Sequence, residues 1–106
     1  GSIRCTSPSD ILVLRYTNIK TDGRKYNWSL SSRIFGFPDG TNQLECSISP
    51  NTGSFYGKSS TEYIEAILSN FVLSSDNNLV ITVTTTDTLV DVTTTQEIEL
   101  NCRGLT

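Results

Sequence analysis

The sequence predicts a mainly β domain that carries a single α-helix. Most of the chain consists of short apolar or alternating runs separated by Gly, Pro, Asn and Asp, a pattern typical of strands and turns. One stretch, GKSSTEYIEAILSNFVLSSDNN at residues 57–78, instead spaces its apolar residues as a helix does. The length of 106 residues is enough for one domain with one modest core.

Three strands are expected before the helix. Residues 10–16, DILVLRY, form an apolar, β-branched run. The following TDGRK contains Asp22-Gly23, which supplies the positive φ of a tight hairpin turn. Residues 25–37 alternate aromatic or apolar residues with Asn and Ser and predict a half-buried second strand. LECSIS, at residues 44–49, alternates in the same way and predicts a third strand.

The helix is expected to begin at a capping box, in which the Ser59 hydroxyl accepts a free backbone N–H and Glu62 reaches back. The apolar residues that follow recur at i, i+3, i+4, i+7 and i+8 and form one stripe: Ile64, Ile67, Leu68, Phe71 and Val72. A stripe of this width predicts a helix of about four turns that packs on a curved sheet.

A closing hairpin is expected after the helix. LVITVTTT (79–86) and VDVTTTQEIELNC (90–102) are β-branched runs that separate near Asp87. The order of three strands, one helix and two strands matches the five-stranded barrel of the OB-fold, whose helix lies between strands 3 and 4. We therefore predict one OB-fold domain over residues 1–106, in which the leading Gly1-Ser2 is a cloning remnant and a natural signal peptide preceded it.

Composition argues against several classes of function. The net charge is −3 with no basic stripe, which disfavours nucleic acid as a partner. No apolar run reaches membrane-spanning length, so membrane insertion is not expected. The sequence has no histidine, so a Ser–His or Cys–His catalytic pair cannot form, and it has no Cys-x-x-Cys or Gly-rich phosphate loop. We expect no enzyme activity, no cofactor and no metal site.

The three cysteines are Cys5, Cys46 and Cys102. A bridge between Cys5 and Cys102 would close almost the whole chain into a loop and would stabilise it by roughly 3–5 kcal/mol in the loop-entropy model. Such a bridge indicates the periplasm or the extracellular space. The alternative is three buried thiols in a cytosolic protein.

Two long stretches carry a family resemblance. SDILVLRYTNIKTDGRKYNWSL (9–30) and LECSISPNTGSFYGKSSTEYIEAILSNFVLSSDNNLVITV (44–83) resemble the strand and helix patterns of the B subunits of A-plus-five-B bacterial toxins. The subtilase-cytotoxin and typhoid-toxin branch is the more similar one, and the cholera and heat-labile branch the less similar. The placement of Cys5 and Cys102 is similar to the cholera branch. Ser29, however, stands where the subtilase branch has a cysteine opposite Cys46.

The resemblance implies a secreted, non-catalytic homopentamer that passes through the periplasm, binds host-cell glycans and carries a toxin A subunit through a helix-lined pore. In that branch a Ser just before the first strand contacts sialic acid, and Ser9 is the matching position. A polar residue of the second strand lines the same pocket, and Ser31 matches it. Arg33 is two residues further along, so a continuous strand would place its guanidinium on the same face, where it could pair with a carboxylate.

Two alternatives remain at this point. The Thr-rich end of the chain also fits a secreted β-sandwich adhesin or a pilin-like module. A cystatin-like inhibitor also has one helix on an antiparallel sheet, but its helix comes early in the chain. For the site, the simpler interpretation is that Ser9 caps the chain before the first strand and that Arg33 is solvated.

Overall fold

The computed structural model describes residues 3–18, 20–58 and 62–105. The described residues form seven β-strands and a short 3-10 helix: β1 (Leu12–Asn18), β2 (Lys25–Phe35), β3 (Ser47–Ser49), β4 (Thr52–Tyr56), β5 (Glu62–Ser69), β6 (Asn78–Asp87), β7 (Val92–Leu100) and η1 (Cys102–Leu105). They contain no α-helix. The predicted five-stranded OB-fold barrel with a helix between strands 3 and 4 is therefore wrong.

The strands form two separate antiparallel sheets. A three-stranded sheet has the order β1-β5-β3, and a four-stranded sheet has the order β4-β2-β6-β7. In the four-stranded sheet, β2 pairs with β6 over ten residues and β6 pairs with β7 over nine. The outer strand of each sheet has one neighbour, so in the described part of the chain neither sheet closes into a barrel.

The core lies between the two sheets. Alternate residues of the strands face inward, as the period of two requires, and they meet residues from the loops at one end. These side chains form one apolar cluster: Leu14, Leu30, Ile34, Ile64, Ala66, Leu68, Phe71, Leu73, Leu79, Ile81 and Val83. Because both sheets contribute to the same cluster, the architecture is a two-layer β-sandwich.

The segment predicted as a helix is strand β5. Along it, Ile64, Ala66 and Leu68 are buried, while Tyr63 and Ile67 are about half exposed. This alternation has the period of a strand, because a helix stripe would have buried Ile67 with Leu68. The ladder that β5 makes with β1 runs from Leu12 opposite Leu68 to Asn18 opposite Glu62. The predicted capping serine, Ser59, lies outside the described residues.

Two further expectations about pairing fail for reasons of topology. Gly23 has the expected positive φ of 73°, but the turn joins β1 to β2, which belong to different sheets and form no hairpin. The predicted third strand is divided between the sheets. Leu44 forms a bridge with Ile34 of β2, whereas residues 47–49 pair with β5, so the chain crosses from one sheet to the other near Cys46.

The two ends of the chain are fastened to one end of the sandwich. Cys5 and Cys102 form a disulfide with their Cα atoms 5.6 Å apart, which confirms the predicted pairing. The Cys5 N–H also donates a 2.8 Å hydrogen bond to the carbonyl oxygen of Leu73, and Thr6 Oγ1 accepts one from the Leu73 N–H. No helix of the described residues has the length and apolar character needed to cross a membrane.

Candidate functional site

Three chain segments meet at the disulfide-bonded end of the sandwich and enclose a cavity of about 550 Å³. They are the β2–β3 connection, the β5–β6 connection and the residues that precede β1. The lining is mostly apolar, with a few polar groups: Pro8, Ile34, Phe37, Pro38, Asp39, Leu44, Glu45, Asn70, Phe71, Val72, Ser74 and Asn77. We call this cavity the loop-end cleft. Its volume and lining are those of a small-ligand site.

The floor of the loop-end cleft belongs to the core. Ile34 and Phe71 are almost fully buried, and so is the side chain of Asn77. Asn77 holds the floor together, because its Oδ1 accepts a 3.0 Å hydrogen bond from the Ser74 N–H and its Nδ2 donates to the carbonyl oxygen of Phe35 at 3.4 Å. A rigid floor of this kind gives a ligand a preformed surface.

The two connections approach each other closely beside the floor. Gly36 has a φ of 89°, and a Cβ on it would lie 2.5 Å from the carbonyl oxygen of Asp76. A side chain at this position would therefore push the β2–β3 connection away from the β5–β6 connection. Glycine here both permits the positive φ and keeps the cleft narrow.

A tight turn fixes one wall. Residues 37–40, Phe-Pro-Asp-Gly, close with a 3.3 Å hydrogen bond from the Gly40 N–H to the Phe37 carbonyl oxygen, and Gly40 has a φ of 86°. This is the turn chemistry that Pro and Asp-Gly predict. The turn presents the half-buried ring of Phe37 and the exposed carboxylate of Asp39 to the cleft.

The charged groups of the rim are carboxylates, which accept hydrogen bonds. Asp39 Oδ1 accepts a 2.9 Å hydrogen bond from the Thr41 N–H, and the hydrogen bonds from Thr41 lower the pKa of Asp39 further below neutral pH, so the carboxyl is ionised there. Glu45 is exposed on the same rim. Asn70, with a φ of 58°, donates from Nδ2 to Ser47 Oγ at 3.0 Å. Among the lining residues of the loop-end cleft none is a Lys or Arg.

A second, shallower cavity of about 470 Å³ lies on β2, β4 and β6 of the four-stranded sheet. Its lining combines hydroxyl and amide side chains with one indole: Asn27, Trp28, Ser29, Thr52, Gly53, Ser54, Thr84 and Thr86. Trp28 is the only large apolar side chain of its lining, whereas the loop-end cleft is lined mainly by apolar residues, so we regard the loop-end cleft as the better candidate site.

Of the residues that the sequence singled out for glycan binding, Ser31 and Arg33 lie on one strand, whereas Ser9 precedes a strand of the other sheet. Ser31 and Arg33 lie on the outer face of β2, as their spacing predicts. Arg33 donates to Glu97 Oε2 at 3.3 Å and stacks over Phe35, and its guanidinium is 5.2 Å from the ring centroid. Ser9 is exposed in the turn before β1, with its Oγ 3.1 Å from that of Ser7. None of the three predicted residues lines either cavity named above.

Sequence reasoning missed the loop-end cleft, although Pro8, next to Ser9, belongs to it. The signal was present in FPDGTNQLE (37–45), where an aromatic residue, a turn and two carboxylates follow a strand. By itself this segment predicts only a turn at residues 37–43, and its partner segment at residues 70–77 is part of the predicted helix.

The described residues contain no group of three or more His, Cys, Asp or Glu side chains placed to hold a metal ion. Comparison with protein-family models, with curated proteins and with solved structures found no match for this chain.

Proposed function

We propose that this chain is a non-catalytic adhesion module of a secreted protein and that it binds an uncharged saccharide in the loop-end cleft. The observation that carries the proposal is the composition of that cleft. It combines an aromatic wall at Phe37 with acceptor groups on Asp39, Glu45 and Asn70.

Each part of the cleft suits a sugar. The apolar C–H face of a sugar ring packs against an aromatic side chain, while its hydroxyl groups donate to carboxylate and amide oxygens. A hydroxyl that donates to an ionised carboxylate makes a charge-assisted hydrogen bond, which is stronger than a neutral one. Asp39 is ionised at neutral pH, and its exposure leaves it open to a ligand.

The charge of the cleft favours a neutral saccharide over the sialoglycan that the resemblance implies. A sialic acid carboxylate needs a cationic or multiple N–H partner, whereas the charged side chains of this rim are both acidic. Arg33, the cation predicted for that role, is engaged with Glu97 on the outer face of the four-stranded sheet.

Secretion is supported by the Cys5–Cys102 disulfide, since such bonds persist in oxidising compartments. The absence of histidine from the sequence supports a binding role over an enzymatic one. The toxin A subunit and the homopentamer stay predictions from the resemblance. The helix that would line the pore of that assembly does not form, because residues 62–69 are strand β5.

A glycan array that contains both neutral and sialylated oligosaccharides tests the proposal. We expect neutral glycans to bind, and Asp39→Asn to weaken that binding about 10- to 100-fold, as the loss of a charged hydrogen bond of about 1.5–3 kcal/mol requires. Asn keeps an oxygen for the Thr41 N–H, so the turn is preserved. Asp91→Asn, at the opposite end of the sandwich, is the matched control. The proposal would be contradicted if no neutral glycan on the array bound the protein, or if Asp39→Asn and Asp91→Asn weakened glycan binding equally.

A further inference from the structure

The outer edge of the four-stranded sheet is exposed over residues 92–97, and Ile98 and Leu100 beyond them are partly buried. Strand β7 has nine residues and pairs on one side with β6. Residues 92–97 are exposed on both faces, including the inner face, where Thr94 lies opposite the buried Thr85. Such an edge presents a row of backbone N–H and C=O groups to another strand.

The other edges offer less to a partner strand. β3 has three residues and β4 has five, and β4 contains Gly53. β1 has seven residues, but a twofold pairing centred on that strand would place Arg15 opposite its own copy. The length and sequence of β7 therefore make it the best edge for pairing.

We propose that β7 pairs antiparallel with β7 of a second copy of this chain, around a twofold axis at Gln96. Gln96 is the midpoint of Val92–Leu100, so this register uses all nine residues of the strand. An isologous contact of this kind is self-complementary and closes at two copies. The result is one continuous eight-stranded sheet, in the order β4-β2-β6-β7 followed by the same strands reversed.

The charges of β7 select this register. Centred on Gln96, the strand places Glu97 opposite the partner's Thr95 and Glu99 opposite the partner's Thr93. An axis at Glu97 puts that carboxylate opposite its own copy, an axis at Ile98 puts Glu97 opposite Glu99, and an axis at Thr95 puts Glu99 opposite Asp91. Like charges directly opposite each other destabilise a strand pair. Centring on Gln96 avoids every such pair.

Apolar residues also match in this register. On the inner face, Leu100 lies opposite the partner's Val92, which is 55% exposed in the single chain. Ile98 lies opposite the partner's Thr94. The pairing thus covers apolar surface at both ends of the strand, in addition to its backbone hydrogen bonds.

The dimer also has a geometric consequence for glycan binding. This consequence, unlike the pairing itself, rests on the proposed function. A twofold axis perpendicular to the sheet reverses the strand direction, so the two loop-end clefts point in opposite directions. The dimer would then bridge two glycan-bearing surfaces rather than attach twice to one.

Sedimentation equilibrium over a range of concentrations tests the pairing without any ligand. We expect a mass that rises toward about 23 kDa, twice the 11.7 kDa of one chain. Thr95 faces the partner's Glu97 twice in the dimer, so Thr95→Lys should lower the dimer Kd and Thr95→Glu should raise it. Each substitution should change the dimer Kd by about 2- to 30-fold relative to the wild type, because it alters two cross-strand pairs that contribute about 0.2–1 kcal/mol each.

Both substitutions sit at the same exposed position, so each variant serves as a control for the fold of the other. Circular dichroism should give the same spectrum for both. A monomer at every concentration, or a mass of five chains, would overturn the proposal. A dimer whose Kd is equal in the two variants would show that another surface forms the contact, and would overturn it as well.

Discussion

The hydroxyl of Tyr16 on β1 donates a 2.5 Å hydrogen bond to the side-chain oxygen of Gln96 on β7. The two residues are 80 positions apart in sequence and belong to different sheets. Their contact fastens the lateral edges of the sandwich to each other, along a part of β7, residues 92–97, whose side chains are exposed. The edge that we propose as a dimer contact is thus held in place from within the molecule.

Removing this bond should loosen the sandwich without changing its core. Tyr16→Phe keeps the ring and deletes the hydroxyl, so we expect a loss of about 0.5–1.5 kcal/mol in the free energy of unfolding, measured by urea titration. Tyr56→Phe deletes a hydroxyl from a side chain that is 54% exposed, and should cost less than about 0.5 kcal/mol. Equal losses in the two variants would show that the Tyr16 hydroxyl contributes nothing particular.

Two neighbouring residues of strand β5 differ strongly in burial. Leu68 is fully buried, whereas Ile67 is 44% exposed on the outer face, opposite Val13 of β1. Leu68→Ala should therefore cost about 2–5 kcal/mol, as buried leucines do. Ile67→Ala removes the same number of atoms from a side chain that is about half exposed, and should cost less.

The same pair of variants distinguishes the strand from the helix that the sequence predicts. A helix with the stripe Ile64, Ile67 and Leu68 would bury both residues, and both variants would then lose comparable stability. Thermal unfolding monitored by circular dichroism gives the two values. Similar melting temperatures for Ile67→Ala and Leu68→Ala would contradict the strand.

This ambiguity explains why the sequence misled at β5. Ile64 and Leu68 are four residues apart, a spacing that lies on one face of a helix and also on one face of a strand. Ile67, Phe71 and Val72 favoured the helix. In the structure, however, Asn70 leaves the strand with a φ of 58°, and Phe71 reaches the core from the following loop. The neighbour that decides between the two patterns is β1, about 50 residues away.

Elsewhere, local signals sufficed. The closing hairpin of β6 and β7 was predicted from β-branched runs that separate near Asp87, and the two strands pair as expected. The pairing of distant strands was not predictable, because turn chemistry such as Asp22-Gly23 fixes a bend and leaves open which sheet the next strand joins. The loop-end cleft was missed for the same reason, since it depends on loops that meet only after the sheets are assembled.

The disulfide should supply much of the stability of this small domain. Cys5 and Cys102 are 97 residues apart, and closing a loop of that length contributes roughly 3–5 kcal/mol in the loop-entropy model. We expect the Cys5→Ser/Cys102→Ser double variant to lose stability on that scale in a urea titration. Cys46→Ser, which leaves the bridge intact, is the control and should lose much less.

Alkylation gives an independent measurement of the thiols. Cys46 is partly buried, and its thiol donates to Ser32 Oγ at 3.3 Å. Burial raises the pKa of the Cys46 thiol, so its reactive thiolate is scarce in the native protein. Iodoacetamide should label the native chain slowly and the urea-unfolded, non-reduced chain at one site. Three labels under the latter condition would disprove the bridge.

Asp87 should make stability fall in acid. At the end of the sandwich opposite the cleft, Arg24 Nη1 donates a 2.8 Å hydrogen bond to Asp87 Oδ2, and this bond holds the pKa of the nearly buried Asp87 below its ordinary value. The folded state therefore releases the proton more readily than the unfolded chain. The resulting stabilisation is present above the unfolded pKa of about 3.9 and is lost as the pH falls through the folded pKa.

Asp87→Asn removes this charge and can still accept the 2.9 Å hydrogen bond that the Leu89 N–H donates to Asp87 Oδ1. We expect the variant to be less stable than the wild type at neutral pH, and the two to converge once the pH has fallen below the folded pKa of Asp87, in urea titrations repeated across pH. Arg24→Gln should lower stability at neutral pH in the same way. The double variant should lose less than the sum of the single ones, because both remove one interaction. If the free energies of unfolding of Asp87→Asn and wild type stayed equally far apart down to low pH, the Arg24–Asp87 ion pair would not be the cause of the loss of stability in acid.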